Sequence, residues 1–168
     1  MTMTHYMELL AVNQPWNLIL FMAIPVILAE TVAITELSIL YTRNRDGVVR
    51  NINRFAGIFA GIYFVGIIIY LIVNAVIPVT RAGEWRTIID VVAVGAYLLS
   101  GIPMILIALQ EMRWIDKGIN DEKKLGRHAV YVAMFLVLAH VAMIAGMTDP
   151  SILEYAAANA HGIHNTHP

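Results

Sequence analysis

Four long apolar runs, separated by short polar stretches, dominate the chain. They lie at about residues 17–42, 55–78, 87–112 and 128–147. Each is long enough to cross the hydrocarbon core of a bilayer, which takes roughly 20 helical residues at about 1.5 Å each. Amphipathic aromatic residues, which favour the membrane interface, flank the runs at Trp16, Tyr41, Trp85 and Trp114. The pattern predicts an all-α fold, a four-helix transmembrane bundle forming one domain over residues 1–168.

A second, shorter pattern follows the last run. Thr148 or Asp149 can cap a new helix with Pro150 in its first turn. We therefore predict a short external surface helix at about residues 150–160, followed by a His-rich tail at residues 161–168.

Basic residues are concentrated after the first and third runs, at Arg43, Arg45, Arg50, Arg54, Arg113, Lys117, Lys123, Lys124 and Arg127. Only Arg81 and Arg86 follow the second run, and no Lys or Arg precedes Arg43 or follows Arg127. The positive-inside rule then predicts two cytoplasmic loops in the cell (inner) membrane, with both termini on the outer, periplasmic side. Because no basic segment precedes the first run, we expect no cleaved signal peptide.

Composition narrows the function classes. Hydrophobic residues make up 59% and charged residues 14%, the net charge is −1, and cysteine is absent. These values exclude a soluble enzyme, a nucleic-acid-binding module and any thiolate metal site. The chain also lacks a phosphate loop, a zinc-protease His pair and a nucleophile elbow, which favours a protein without enzymatic activity of its own. The expected partners are the lipid bilayer and no nucleic acid.

Histidines at the two predicted external ends are candidate metal ligands. These are His5, His161, His164 and His167. Imidazole binds zinc and copper, so the two ends could share one transition metal ion. The alternative is a loose tail without a ligand.

A second candidate site lies within the bilayer. His140, Met143 and Met147 share one helix face, and Met22 of the first run is expected at a similar depth. A His/Met set could ligate haem b or copper. Alternatively, methionine only fills apolar space and His140 bonds a neighbouring polar group.

Acidic residues within the runs are functional candidates by default, because an ionised carboxylate is costly in lipid. Glu30 lies near the middle of the first run and is expected to face the bundle interior. Its carboxyl group is expected to be neutral, bound to a cation or paired with a base such as His140. Glu36, Glu111 and His128 are expected at one similar depth nearer the cytoplasm.

Small residues at Gly57 and Gly61 are spaced for close helix packing, within the bundle or against another chain.

The opening MTHYMELLAVNQPWNLILFMAIPVILAETVAITE resembles a family of small uncharacterised bacterial four-span membrane proteins sometimes labelled permease. The resemblance implies a membrane fold and transfers no catalytic residue.

Three functional hypotheses follow. The first is a metal- or haem-binding electron-transfer subunit that works with other membrane or periplasmic redox subunits, with His140, Met22, Met143 and Glu30 around the cofactor. The second is a small proton- or cation-coupled permease that uses Glu30. The third is a structural subunit of a larger membrane complex, with Gly57 and Gly61 at its contact surfaces.

Overall fold

The computed structural model describes residues 4–43, 46–85, 87–116 and 118–148 of the chain. Within these ranges every regular element is helical. There is an N-terminal helix (His5–Ala11), followed by span 1 (Trp16–Thr42), span 2 (Val48–Ala82), span 3 (Ile88–Glu111) and span 4 (Asp121–Met147). All four spans are long and apolar enough to cross a membrane. The predicted all-α four-helix bundle is confirmed, and the chain is a multi-pass membrane protein.

Two spans begin before the apolar runs that predicted them. Span 2 begins at Val48 rather than residue 55, and span 4 at Asp121 rather than residue 128. Each early segment contains charged residues, and a helix can continue into the polar membrane interface although hydropathy detects only its hydrocarbon part. The predicted surface helix at residues 150–160 and the tail at residues 161–168 lie outside the described residues.

Span 3 lies at the centre of the packing. In span 3, 56% of the most apolar 18-residue segment is buried, whereas the corresponding share is 22% in spans 1 and 4. It packs against spans 2 and 4, while spans 1 and 4 touch each other only lightly. The outer faces of spans 1 and 4 are therefore left to the lipid.

Two glycines of span 2 allow its close approach to span 3. A Cβ atom at Gly61 would lie 2.3 Å from the Cβ of Ala108 and 2.8 Å from the Met104 carbonyl oxygen. One at Gly57 would lie 2.9 Å from a side-chain carbon of Ile107. The packing interpretation within the bundle is confirmed, so Gly57 and Gly61 do not form an outer contact surface.

Near its start, span 1 contains a π-helical turn at Ile19–Ala23, just before Pro25. Proline has no backbone N–H, so it cannot donate to the carbonyl four residues earlier, which is that of Phe21. The Tyr97 hydroxyl of span 3 donates to this oxygen at 2.7 Å. A carbonyl group in the irregular turn thus receives a hydrogen bond from the neighbouring helix.

The N-terminal helix is attached to one end of the bundle. The Thr4 hydroxyl donates to the Gly146 carbonyl of span 4 at 2.8 Å, with Thr4 fully buried. Leu10, also buried, joins an apolar cluster with Phe21 and Leu71. We call the other end, which carries Arg43, Arg50, Arg113, Lys124 and Arg127, the basic end.

Candidate functional site

Five polar side chains from all four spans meet just inside the basic end. This polar cluster consists of Glu36 of span 1, Arg50 and Asn53 of span 2, Glu111 of span 3 and His128 of span 4. The side chains of Glu36, Glu111 and His128 are only 2–3% exposed, whereas that of Arg50 is 25% exposed. Three ionisable groups are therefore buried within a membrane-crossing bundle, which is costly unless they neutralise one another.

His128 lies between the two carboxylates. Its Nδ1 is 2.6 Å from Glu36 Oε2, and its Nε2 is 3.6 Å from Glu111 Oε1. Neither contact has hydrogen-bond geometry, the first because its angle is poor despite the short distance and the second because the atoms are too far apart. The ring is thus in position for ion pairing with Glu36 when it carries a proton, while both of its nitrogens lack a hydrogen-bond partner.

Arg50 and Asn53 connect the two acids. Arg50 Nη2 donates to both carboxylate oxygens of Glu111 at 2.9 Å, and its Nη1 donates to Asn53 Oδ1 at 2.9 Å. Asn53 Nδ2 in turn lies 3.2 Å from Glu36 Oε2 and 2.9 Å from the Thr35 hydroxyl. Asn53 therefore links the Arg50–Glu111 pair of one side to Glu36 on the other.

The charges of the cluster balance only with one additional proton. The ionised Glu36 and Glu111 contribute two negative charges and Arg50 one positive charge. A proton on His128 brings the sum to zero. The formal charge of the cluster is therefore −1 without this proton and zero with it.

An apolar layer closes the cluster towards the opposite end. It contains the buried residues Ala29, Val32, Ala56, Ala60, Phe64, Met104, Ile107, Val132 and Phe135. These residues lie on all four spans, on the side of the cluster away from the basic end. Gly57 lies beside the cluster, where its missing side chain leaves room, since a Cβ there would be 3.8 Å from Glu111 Cγ and 4.0 Å from His128 Nε2.

Towards the basic end the cluster borders a cavity of about 240 Å³. Its lining consists of Ile39, Asp46, Arg50, Glu111, Arg113, Lys124, Leu125 and His128. The cluster therefore borders a cavity with charged lining residues on one side and an apolar layer on the other.

The four residues predicted to surround a buried cofactor lie on the outer surface of the bundle. Glu30 and His140 are exposed, and Met22 and Met143 are 36% and 38% exposed. The His140 Nδ1 is 2.6 Å from the Leu136 carbonyl oxygen of its own helix. The expectations that Glu30 faces the interior and that His140 is buried within the chain were wrong, whereas the role of His140 as a cofactor ligand stays a prediction. Both lipid and protein surround a membrane helix with apolar groups, so depth alone does not reveal which way a side chain points.

Depth also separates Glu30 from His140. Glu36 and His128 are in contact and so mark one level of the bundle. Glu30 lies six residues beyond that level and His140 twelve, an offset of about 9 Å along the bundle at about 1.5 Å per residue. The predicted Glu30–His140 pair is therefore not formed within one chain. Met22, fourteen residues beyond Glu36, is within about 3 Å of the His140 level, as expected.

The terminal metal ligands cannot be compared with the prediction. His161, His164 and His167 lie outside the described residues, as does the side chain of His5. Within the described part of the chain, no three His, Cys, Asp or Glu side chains form a group that could hold a metal ion. Binding of copper, zinc or haem b stays a prediction.

The polar cluster was only partly visible in the sequence. The similar depth of Glu36, Glu111 and His128 was predicted, and the structure brings them together. Arg50 was counted only as a loop charge, although it lies in the third position of span 2. A signal was nevertheless present, because Arg50 and Asn53 are three residues apart and so share a helix face.

The chain belongs to the family of unknown function DUF6803, which matches residues 1–162. Neither the curated proteins nor the solved structures contain a match to the chain. The family description includes no permease activity, so the resemblance to proteins labelled permease stays a prediction.

Proposed function

We propose that the protein is a proton-translocating membrane carrier in which His128, Glu36 and Glu111 hold the transported proton. One observation carries the proposal: the His128 ring lies between two buried carboxylates, with one nitrogen near each. Imidazole can accept a proton at one nitrogen and release another from the second. An ionisable residue within a membrane span is a default candidate for a proton pathway.

The surroundings of the cluster support this role. Protons from the aqueous phase have access through the cavity at the basic end, and the apolar layer beyond the cluster prevents free leakage. A carrier needs both features, because a polar path open to both sides at once would form a channel instead. Movement of the bundle around the apolar layer would then expose the cluster to the opposite side.

We assign the basic end to the cytoplasmic side of the cell membrane. The positive-inside rule supports this orientation. The proton then enters or leaves the cavity on the cytoplasmic side, while the N-terminal helix covers the periplasmic end.

This proposal keeps the permease hypothesis but replaces Glu30 with Glu36 as the acid in span 1. The Glu36 carboxylate contacts a base, whereas Glu30 is exposed and has no side-chain partner among the described residues. The electron-transfer hypothesis stays a prediction that rests on the terminal histidines. The structural-subunit hypothesis loses the two glycines as its contact surface.

The experiment compares the two acids of span 1. Purified protein is reconstituted in vesicles that contain a pH-sensitive dye, and a potassium diffusion potential drives proton uptake. We expect the wild type to take up protons faster than protein-free vesicles. Glu36→Gln should lower uptake at least tenfold, because the amide cannot bind the proton or pair with His128.

Glu30→Gln is the matched control and should keep the wild-type rate. Equal amounts of folded protein in each vesicle preparation are checked by gel filtration after extraction. Wild-type uptake no faster than that of empty vesicles would refute proton translocation, and equal losses in both variants would refute the assignment to Glu36.

A further inference from the structure

The cavity at the basic end carries more positive charge than its own acids can balance. Three cationic side chains line it, Arg50, Arg113 and Lys124, against the carboxylates of Asp46 and Glu111. Glu111 is already paired with Arg50, and Asp46 is engaged in an interaction of its own. Within the described ranges, neither Arg113 nor Lys124 has an acidic partner for its side chain.

One nitrogen of a buried imidazole at the cavity wall also lacks a hydrogen bond. His128 lines the cavity and is 2% exposed; its Nδ1 lies 2.6 Å from Glu36 Oε2, whereas its Nε2, 3.6 Å from Glu111 Oε1, has no hydrogen bond. Buried nitrogens of this kind are normally satisfied by protein, water or a ligand. Two cations without acidic partners and one imidazole nitrogen without a hydrogen bond therefore meet around one cavity.

We infer that this cavity binds a small oxyanion of the phosphate type, held by Arg113 and Lys124 with His128 at its base. The guanidinium group offers a planar fork that suits phosphate oxygens, and the ammonium group adds a mobile point charge. At about 240 Å³ the cavity is smaller than the roughly 300 Å³ at which pockets for drug-sized ligands begin. The ligand is therefore a small anion or the headgroup phosphate of a lipid. The site goes beyond the proposed proton transfer and does not depend on it.

Two neighbouring lysines allow a matched test. Lys124 lines the cavity, whereas Lys123 is exposed and does not. Binding of inorganic phosphate to the full-length protein in lipid-free detergent micelles is measured by isothermal titration calorimetry. Choline chloride at the same ionic strength controls for salt effects. We expect saturable binding of one phosphate per chain.

Lys124→Gln and Arg113→Gln should each weaken phosphate binding roughly tenfold, the loss expected for one charge-assisted contact of about 1.4 kcal/mol. Lys123→Gln should leave the affinity unchanged. His128→Gln should weaken binding without changing its stoichiometry. Equal effects of Lys123→Gln and Lys124→Gln would overturn the inference, because they would indicate diffuse attraction to a basic surface.

A second arm identifies the source of the phosphate. Short-chain phosphatidic acid replaces inorganic phosphate in the same titration. Specific binding of either probe supports the site: inorganic phosphate alone indicates a soluble anion, and the lipid alone indicates a headgroup. Binding of neither probe overturns the inference. Because this assay is independent of proton uptake, a failure here leaves the proposed carrier function intact, and the reverse also holds.

Discussion

Replacement of Arg50 by methionine should destabilise the bundle, because the buried Glu111 carboxylate then loses its cationic partner. Both oxygens of Glu111 accept a hydrogen bond from Arg50 at 2.9 Å, and the Glu111 side chain is only 2% exposed. Removal of one partner from a buried ion pair generally costs about 3–5 kcal/mol. Because the Arg50 side chain is 25% exposed, we expect a loss near the lower limit, about 3 kcal/mol.

A double-mutant cycle separates the pair from other effects of the substitution. Glu111→Gln alone should cost about 1–2 kcal/mol, because Arg50 can turn towards water. In the double variant Arg50→Met/Glu111→Gln no carboxylate is left unpaired at this position. The double loss should therefore be smaller than the sum of the single losses by about 2 kcal/mol.

The assay is equilibrium unfolding in mixed micelles with increasing sodium dodecyl sulfate, followed by the fluorescence of Trp16, Trp85 and Trp114. Arg54→Met is the matched control, since Arg54 is exposed on the same helix and should change stability by less than about 0.5 kcal/mol. Single losses that add to the double loss within about 0.5 kcal/mol would refute the coupling of Arg50 to Glu111.

Two further predictions concern helix packing and use the same unfolding assay. Gly61→Ala should destabilise the bundle by about 1–3 kcal/mol, because the new Cβ would lie 2.3 Å from that of Ala108. Gly66→Ala is the control: a Cβ there has no atom within 4 Å, so this variant should stabilise the bundle by about 0.5–1 kcal/mol. Equal effects of the two variants would contradict the close contact of spans 2 and 3. Tyr97→Phe should cost about 1–2 kcal/mol by leaving the buried Phe21 carbonyl without its donor, and no change in stability would show that this hydrogen bond is dispensable.

Much of the fold follows from hydropathy because the bilayer imposes one length on every span. The apolar runs located all four spans, but they missed the starts of spans 2 and 4 and the last turn of span 2, which ends at Ala82 rather than residue 78. The rotation of each helix could not be predicted in the same way. In a soluble helix the polar face marks the surface, but a membrane helix is apolar on both its lipid and its protein faces.

Glu30 and Glu36 illustrate this limit. They are six residues apart, about 600° around the helix, so they cannot both face the bundle interior. The sequence gives no apolar asymmetry that distinguishes the two faces. The contact with His128 determines the rotation of the helix, so Glu36 faces the bundle interior and Glu30 faces outward.

The two histidines of span 4 illustrate the same point. His140 was favoured as a functional residue because it lies deep within the apolar run, while His128 stands at its polar edge. Burial inside the protein, rather than depth in the bilayer, determines which imidazole is held by charged partners. His128 is 2% exposed between two carboxylates, and His140 bonds only its own helix backbone among the described residues.

The most direct test of proton transfer at the polar cluster compares these two histidines in the vesicle assay. His128→Gln and His140→Gln are the same chemical change on one helix, twelve residues apart. We predict that His128→Gln lowers proton uptake to the level of protein-free vesicles, whereas His140→Gln keeps the wild-type rate. Wild-type uptake in His128→Gln together with its loss in His140→Gln would contradict the assignment and return the function to the outer half of span 4.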